Sequence, residues 1–119
     1  MKEKEVGNLG EDIEVQYLES IGYEILERNY TVKGGEIDII ATFEKLLVFV
    51  EVKTRNGSDF PGAQAVDERK CAFLVSAAER FVLEKSELAS EMESRFDLID
   101  ICFSGDGTTN VKHCKNIIF

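Results

Sequence analysis

A chain of 119 residues with 44% hydrophobic content is the size of one domain and too apolar for a disordered one. A single proline among nine scattered glycines excludes collagen-like and linker-like polymers, and three cysteines without a CxxC pair argue against a disulfide framework or a structural zinc site. The longest apolar run, Leu46 to Val50, is too short to cross a bilayer, and no apolar core follows the charged start, so a cytoplasmic protein is expected. The net charge of −9 disfavours broad, non-specific binding to nucleic acid or anionic membrane. That charge is uneven. Residues 1–27 carry eight acidic and two basic groups, whereas residues 28–55 carry five basic against four acidic.

Residues 8 to 21 read as an amphipathic helix, with Leu9, Ile13, Tyr17 and Ile21 recurring every four residues, Leu18 beside them, and Gly22 as a stop. Glu24 to Tyr30 reads as a first strand. Gly34-Gly35 makes a turn into a second, Glu36 to Thr42, which alternates before becoming apolar. Leu46 to Lys53 is a β-branched, apolar run of the kind buried on both faces of a central strand. A glycine- and proline-containing loop, Asn56 to Gly62, precedes a second helix. Its stripe is Val66, Phe73, Leu74, Ala77, Ala78 and Phe81, and it runs to about Glu87. Phe96 to Phe103 is a further strand, and Val111 to Phe119 a last one after the turn at Ser104 to Gly107. The order α-β-β-β-α-β-β predicts a single α/β domain over residues 1–119, a sheet of several strands flanked by two helices.

The chemistry concentrates in Glu36-Ile-Asp38 and Glu51-Val-Lys53. A two-residue turn at Glu44-Lys45 sets Asp38 opposite Glu51 and Glu36 opposite Lys53, with opposed Cβ atoms roughly 5 Å apart. Two carboxylates facing each other in an apolar hairpin repel unless something neutralises them. A divalent cation such as Mg²⁺ does so, because it takes one or two carboxylates and keeps its other positions for water and phosphate. Lys53 beside a metal-bound water would stabilise the nucleophile and the charge that builds on a phosphoryl oxygen. The competing reading is a buried network in which Glu36 pairs with Lys53 and Asp38 with an arginine. Other chemistries lack parts: the only histidine, His113, has no evident triad partner and reads with Cys114 as local packing.

The sequence resembles the PD-(D/E)xK, or restriction-endonuclease-like, superfamily, and as a whole is similar to the small bacterial YraN-like family of predicted endonucleases. The resemblance is carried by Gly7 to Glu11, Gly22 to Leu26, Arg28 to Tyr30, Gly35 to Ala41 and Val48 to Arg55. It continues through Ala65-Val66, Lys70, Arg95 to Asp97 and the segment from His113 to Phe119. It implies a mixed central sheet in an α-β-β-β-α-β core and a Mg²⁺ or Mn²⁺ site at Asp38, Glu51 and the Val52 backbone carbonyl. It also implies Lys53 as the catalytic lysine and Glu11 as a supporting carboxylate. Glu11 falls at the margin of the apolar arc of its helix, where capping is the plainer role. One departure is Glu14, where the family usually has a small alanine, which bears on helix packing and on charge near the site.

Lys70 follows Val66 and precedes Leu74 by four, on the core stripe of its helix, so it either snorkels or, as the resemblance and the nearby carboxylates favour, contacts phosphate or partners the metal-site acids. Arg55, two residues beyond Lys53, is the matching backbone-phosphate contact, and Gln64 a further polar one. The leading expectation is a metal-dependent nuclease cutting DNA, of branched or single-stranded form. An inactive nuclease-fold module that binds nucleic acid or a protein, and a small-phosphate hydrolase, both suit the acidic charge better. A homodimer would give so small a domain the area to grip a duplex.

Overall fold

A computed structural model describes residues 3–56 and 68–117. In chain order it contains α1 (Glu3–Ser20), β1 (Glu24–Val32), β2 (Gly35–Phe43), β3 (Leu46–Asn56), α2 (Glu68–Glu84), α3 (Ser86–Ala89), β4 (Glu93–Phe103) and β5 (Thr109–Cys114). The five strands form one sheet in sequential order, antiparallel except that β3 and β4 run parallel, joined by the crossover through α2 and α3. This is the expected mixed sheet flanked by helices, with the α-β-β-β-α-β order of a restriction-endonuclease-like core. The short α3 was not anticipated, and β5 ends at Cys114 instead of running to the C-terminus.

Each helix covers one face. Under α1 lie Leu18, Ile39, Ala41, Val48, Val50, Ile99 and Ile101; under α2 lie Ile40, Leu47 and Phe49 with Leu74, Ala77, Ala78 and Phe81. Successive residues of β3 thus alternate between the two cores, which is why its sequence is apolar throughout. Two stripe residues fall outside these cores: Ile21 and Phe73 are exposed, at the margins of their helices. Val66 lies outside the described residues.

Glycine sets both helix positions. Gly22, at φ +98°, ends α1; its N–H donates to the Glu19 carbonyl and that of Tyr23 to the Leu18 carbonyl, so the chain reverses with Tyr23 packed into the same core as Leu18. At Gly35 a Cβ would collide with the Phe73 carbonyl oxygen, so glycine here lets α2 lie directly on the start of β2.

The β2–β3 hairpin closes as expected, with Phe43 opposite Leu46, Glu44 in the left-handed region at φ 56°, and the register continuing to Ile39 opposite Val50. There the ladder stops. Neither of the expected cross-strand pairs, Asp38–Glu51 and Glu36–Lys53, is part of it, and Glu36 is exposed and pairs with Thr31 of β1. The cause lies at Asp38. Ile37 packs in the α2 core and Ile39 in the α1 core, although residues two apart in a regular strand share a face. Across from this point Asn29, at φ 54°, separates the pairs Arg28–Ile39 and Tyr30–Ile37. The facing of both strands inverts here, and Asp38 sits at the inversion.

Candidate functional site

Because Asp38 lies where the strand turns over, its carboxylate takes the place of a ladder carbonyl: Oδ2 accepts the Val52 N–H at 2.9 Å. In an antiparallel pair, a residue's N–H and C=O point to the same neighbouring strand. The Val52 carbonyl is therefore also turned toward β2, beyond the last ladder pair at Ile39–Val50. The two strands part at this point with a carboxylate and a carbonyl between them.

Glu51 follows Leu47 and Phe49 on the α2 face of β3 and is 4% exposed. Its Oε1 receives two ammonium groups, Lys70 Nζ at 3.2 Å and Lys53 Nζ at 3.4 Å. Its Oε2 is buried without a hydrogen-bond partner among the described residues. Leaving such an acceptor unsatisfied typically costs about 1–3 kcal/mol, so the arrangement asks for a positive ligand at Oε2. Both lysine side chains keep about a third of their surface, enough to let each head group swing toward solvent or substrate. Lys70 reaches Glu51 because it sits one turn before Leu74 on the buried stripe of α2.

The structure thus brings Glu51, Lys53 and Lys70 together and holds Asp38 on the N–H of Val52, the residue after Glu51. Glu11 lies in α1, but its side chain, that of Arg55, and Gln64 fall outside the described residues. No cluster of three or more His, Cys, Asp or Glu suited to a metal occurs among the described residues. Two carboxylates and a carbonyl nonetheless match what Mg²⁺ takes from a protein, and the unsatisfied Glu51 oxygen fits that donor set.

Three acids carry more than the sequence reading assigned to them. Asp100 is fully buried on β4, registered beside Lys53 on one side and Lys112 on the other. A charge in the apolar run Leu98 to Cys102 was the available signal. Glu14 is fully buried on α1 with neither carboxylate oxygen partnered, and burial pushes its carboxyl up to about 8. It stands four residues before Leu18, within the apolar arc, more centrally than Glu11.

Asp97 is the third, and it corrects the reading of His113 as local packing. Arg95 grips Asp97 bidentately, Nε to Oδ1 at 2.8 Å and Nη2 to Oδ2 at 2.7 Å, and Nη2 also donates to the Tyr23 hydroxyl. His113 Nε2 lies 2.7 Å from Oδ2, and the Asn116 N–H donates to Oδ1. Burial, the largest influence, pushes the Asp97 carboxyl up, but the bonds from His113, Arg95 and Asn116 together hold it below its ordinary value. A carboxylate only accepts, so Nε2 carries the proton, leaving Nδ1 toward the Tyr17 hydroxyl at 3.5 Å. This cluster joins α1, the turn at Tyr23, β4 and the C-terminal segment.

The model of the uncharacterised protein family UPF0102 matches residues 10–101. The chain is 40% identical to a UPF0102 protein of Desulforamulus reducens, over 99% of this chain and 98% of that one. It is 44% identical to one from Dictyoglomus thermophilum over 90% of each chain, and 41% identical to one from Geobacter metallireducens over 95% of this chain and 91% of that one. The matched span runs from the middle of α1 to β4 and includes Asp38, Glu51, Lys53 and Lys70. The chain belongs to family UPF0102, the YraN family.

Proposed function

We propose that this chain is a cytoplasmic, metal-dependent nuclease that hydrolyses phosphodiester bonds in DNA, with branched or single-stranded forms as its substrates. One observation supports the reading: the buried Glu51 carboxylate has two lysines on one oxygen and, among the described residues, no hydrogen-bond partner on the other, while Asp38 is held on the N–H of the next residue, Val52. Structural ion pairs in a protein interior satisfy both oxygens. A half-satisfied one fits a binding site.

Asp38, Glu51 and the Val52 carbonyl would hold Mg²⁺ or Mn²⁺. When bound, such an ion lowers the pKa of a coordinated water and polarises the phosphoryl oxygen. The remaining roles belong to side chains. The Lys53 ammonium, anchored on Glu51 and still partly solvated, offsets negative charge developing at the scissile phosphate. Lys70, from the opposite wall, holds a phosphate oxygen, with Arg55 and Gln64 as further backbone contacts. The Asp38–Val52 bond fixes the carboxylate in place before substrate arrives, so its ordering is not charged against binding. Glu11 supports the site from α1. A homodimer would supply the surface for a duplex.

A catalytically inactive module that binds nucleic acid or a protein partner is the second reading, favoured by the charge of −9 and by two lysines already neutralised on Glu51. Incubation with Mg²⁺ or Mn²⁺ and a panel of duplex, single-stranded, flap and four-way-junction DNA, beside Glu51→Ala, separates the two. Metal-dependent cleavage by the wild type alone supports the nuclease. Metal-independent binding without cleavage, equal in both proteins, supports the module.

A further inference from the structure

Glu14 takes no part in the site proposed above. It is fully buried on α1, and neither carboxylate oxygen has a hydrogen-bond partner among the described residues. Its helix packs on apolar residues: one turn on, Leu18 shares a cluster with Ile39, Ala41, Val48 and Val50, and Ile13 and Val15 on either side of Glu14 pack against that cluster. An ionised carboxylate cannot stay there unpaired; it must find a cation, leave, or take up a proton. Among the described residues no cation is paired with Glu14. On α1 the group that senses its charge is Tyr17, itself near His113, and Asp12 nearby is bound to Arg28 at 2.8 Å. On β1, Arg28 is committed to that same Asp12, and on β3 the residues of this face, Val48, Val50 and Val52, carry no titratable group.

We propose that Glu14 is a proton-operated latch: α1 rests on the sheet with Glu14 as the neutral acid, and loss of that proton releases the helix. The direction is fixed by linkage. The folded carboxyl is raised from 4.5 to about 8 by burial, so between those values the seated helix holds a proton that the released one does not. Its contribution is complete below 4.5 and is lost as pH rises to about 8, beyond which both states are ionised and the dependence ends. The latch stands whether or not the chain is a nuclease.

Two measurements test it. Urea unfolding of wild type and Glu14→Gln, which mimics the neutral acid, is compared from pH 5 to 8.5. The ratio of their unfolding constants should rise with pH, by up to tenfold per unit and roughly a hundredfold or more overall. A ratio independent of pH overturns the latch. The carboxyl ¹³C resonance of Glu14 in the wild type reads the same event without a variant. A midpoint near 8 supports the proposal and one near 4.5 overturns it, which keeps the test decisive should the glutamine variant not fold. Release must also be local: amide exchange of α1, corrected for intrinsic rates, should accelerate from pH 6 to 8.5 ahead of β3 and β4. Exchange that rises equally in helix and strands would refute a latch on α1.

Discussion

Two buried carboxylates, one on each face of the same sheet, are handled in opposite ways. Asp97, on the α1 face, receives hydrogen bonds from Arg95, His113 and the Asn116 N–H, and both oxygens are satisfied. Glu51, on the α2 face, has two half-exposed lysines crowded onto one oxygen and none on the other. The first arrangement spends four donors from three segments on one acid and joins those segments together. The second keeps an oxygen in reserve. Both sit in apolar strands at similar burial, so burial alone does not separate a structural carboxylate from a functional one; the count of satisfied oxygens does.

That contrast is sharpest under mutation of the reserved group. Glu51→Ala should lower metal-dependent cleavage on the order of a thousandfold, since it removes a ligand whose ion supplies several kcal/mol of transition-state stabilisation. The same change should move the metal-free urea midpoint little. The two lysines that lose their partner keep about a third of their side-chain surface and can rehydrate, while repulsion from Asp38 is relieved. Mg²⁺ should raise the wild-type midpoint and leave that of the variant unchanged, because a ligand stabilises only the state that binds it. A variant badly destabilised without metal would erase the difference between the two acids.

Asp97→Ala should do the reverse. It strands a guanidinium that is only 19% exposed and a histidine of which 7% is exposed, a loss of about 3 kcal/mol in stability with cleavage per folded molecule retained. Titration adds a signature. The folded Asp97 carboxyl lies below its ordinary 3.8, so its contribution is present above 3.8 and disappears as pH falls through the lower folded value. Acid unfolding of wild type should therefore steepen below 3.8, and Asp97→Asn should flatten that limb. A wild-type acid limb identical to that of the variant would mean that the cluster is not what holds these segments.

How much of this was legible in the sequence depended on how local the cause was. The hairpin register followed from Glu44-Lys45 alone, because a short turn fixes pairing and each strand's apolar pattern allows one face assignment. The helix of Lys70 followed from its spacing to Leu74, and the residue does reach Glu51 on the face of the sheet that α2 covers. Strand inversion at Asp38 was not legible. It requires Asn29 on the neighbouring strand to adopt φ 54°, a non-local event that alternation counted along one strand cannot register. Asp97 escaped for a related reason: its partners lie at positions 95, 113 and 116, and only the β4–β5 pairing and the C-terminal bend gather them. Glu14 was legible as a departure bearing on helix packing and on charge near the site; that it is fully buried, with neither oxygen partnered among the described residues, needed the packed fold.

The smallest predicted effect separates the two lysines on Glu51. Lys70 and Lys53 reach the same oxygen, but Lys53 comes from β3, two residues beyond Glu51, whereas Lys70 stands on α2. If Lys70 reaches phosphate once a cation occupies the carboxylates, Lys70→Met should reduce the log–log salt slope of DNA binding by about one unit in Ca²⁺. Without a divalent ion the ammonium is held on Glu51 and is not available to release a counterion, so the same substitution should leave that slope unchanged. Fluorescence anisotropy with a labelled junction across a salt series, with and without Ca²⁺, reads both. An equal slope change in the two conditions would place Lys70 on the backbone regardless of metal. No change in either would confine it to neutralising Glu51, and would leave both lysines of the α2 face playing the part that Arg95 and His113 play on the other.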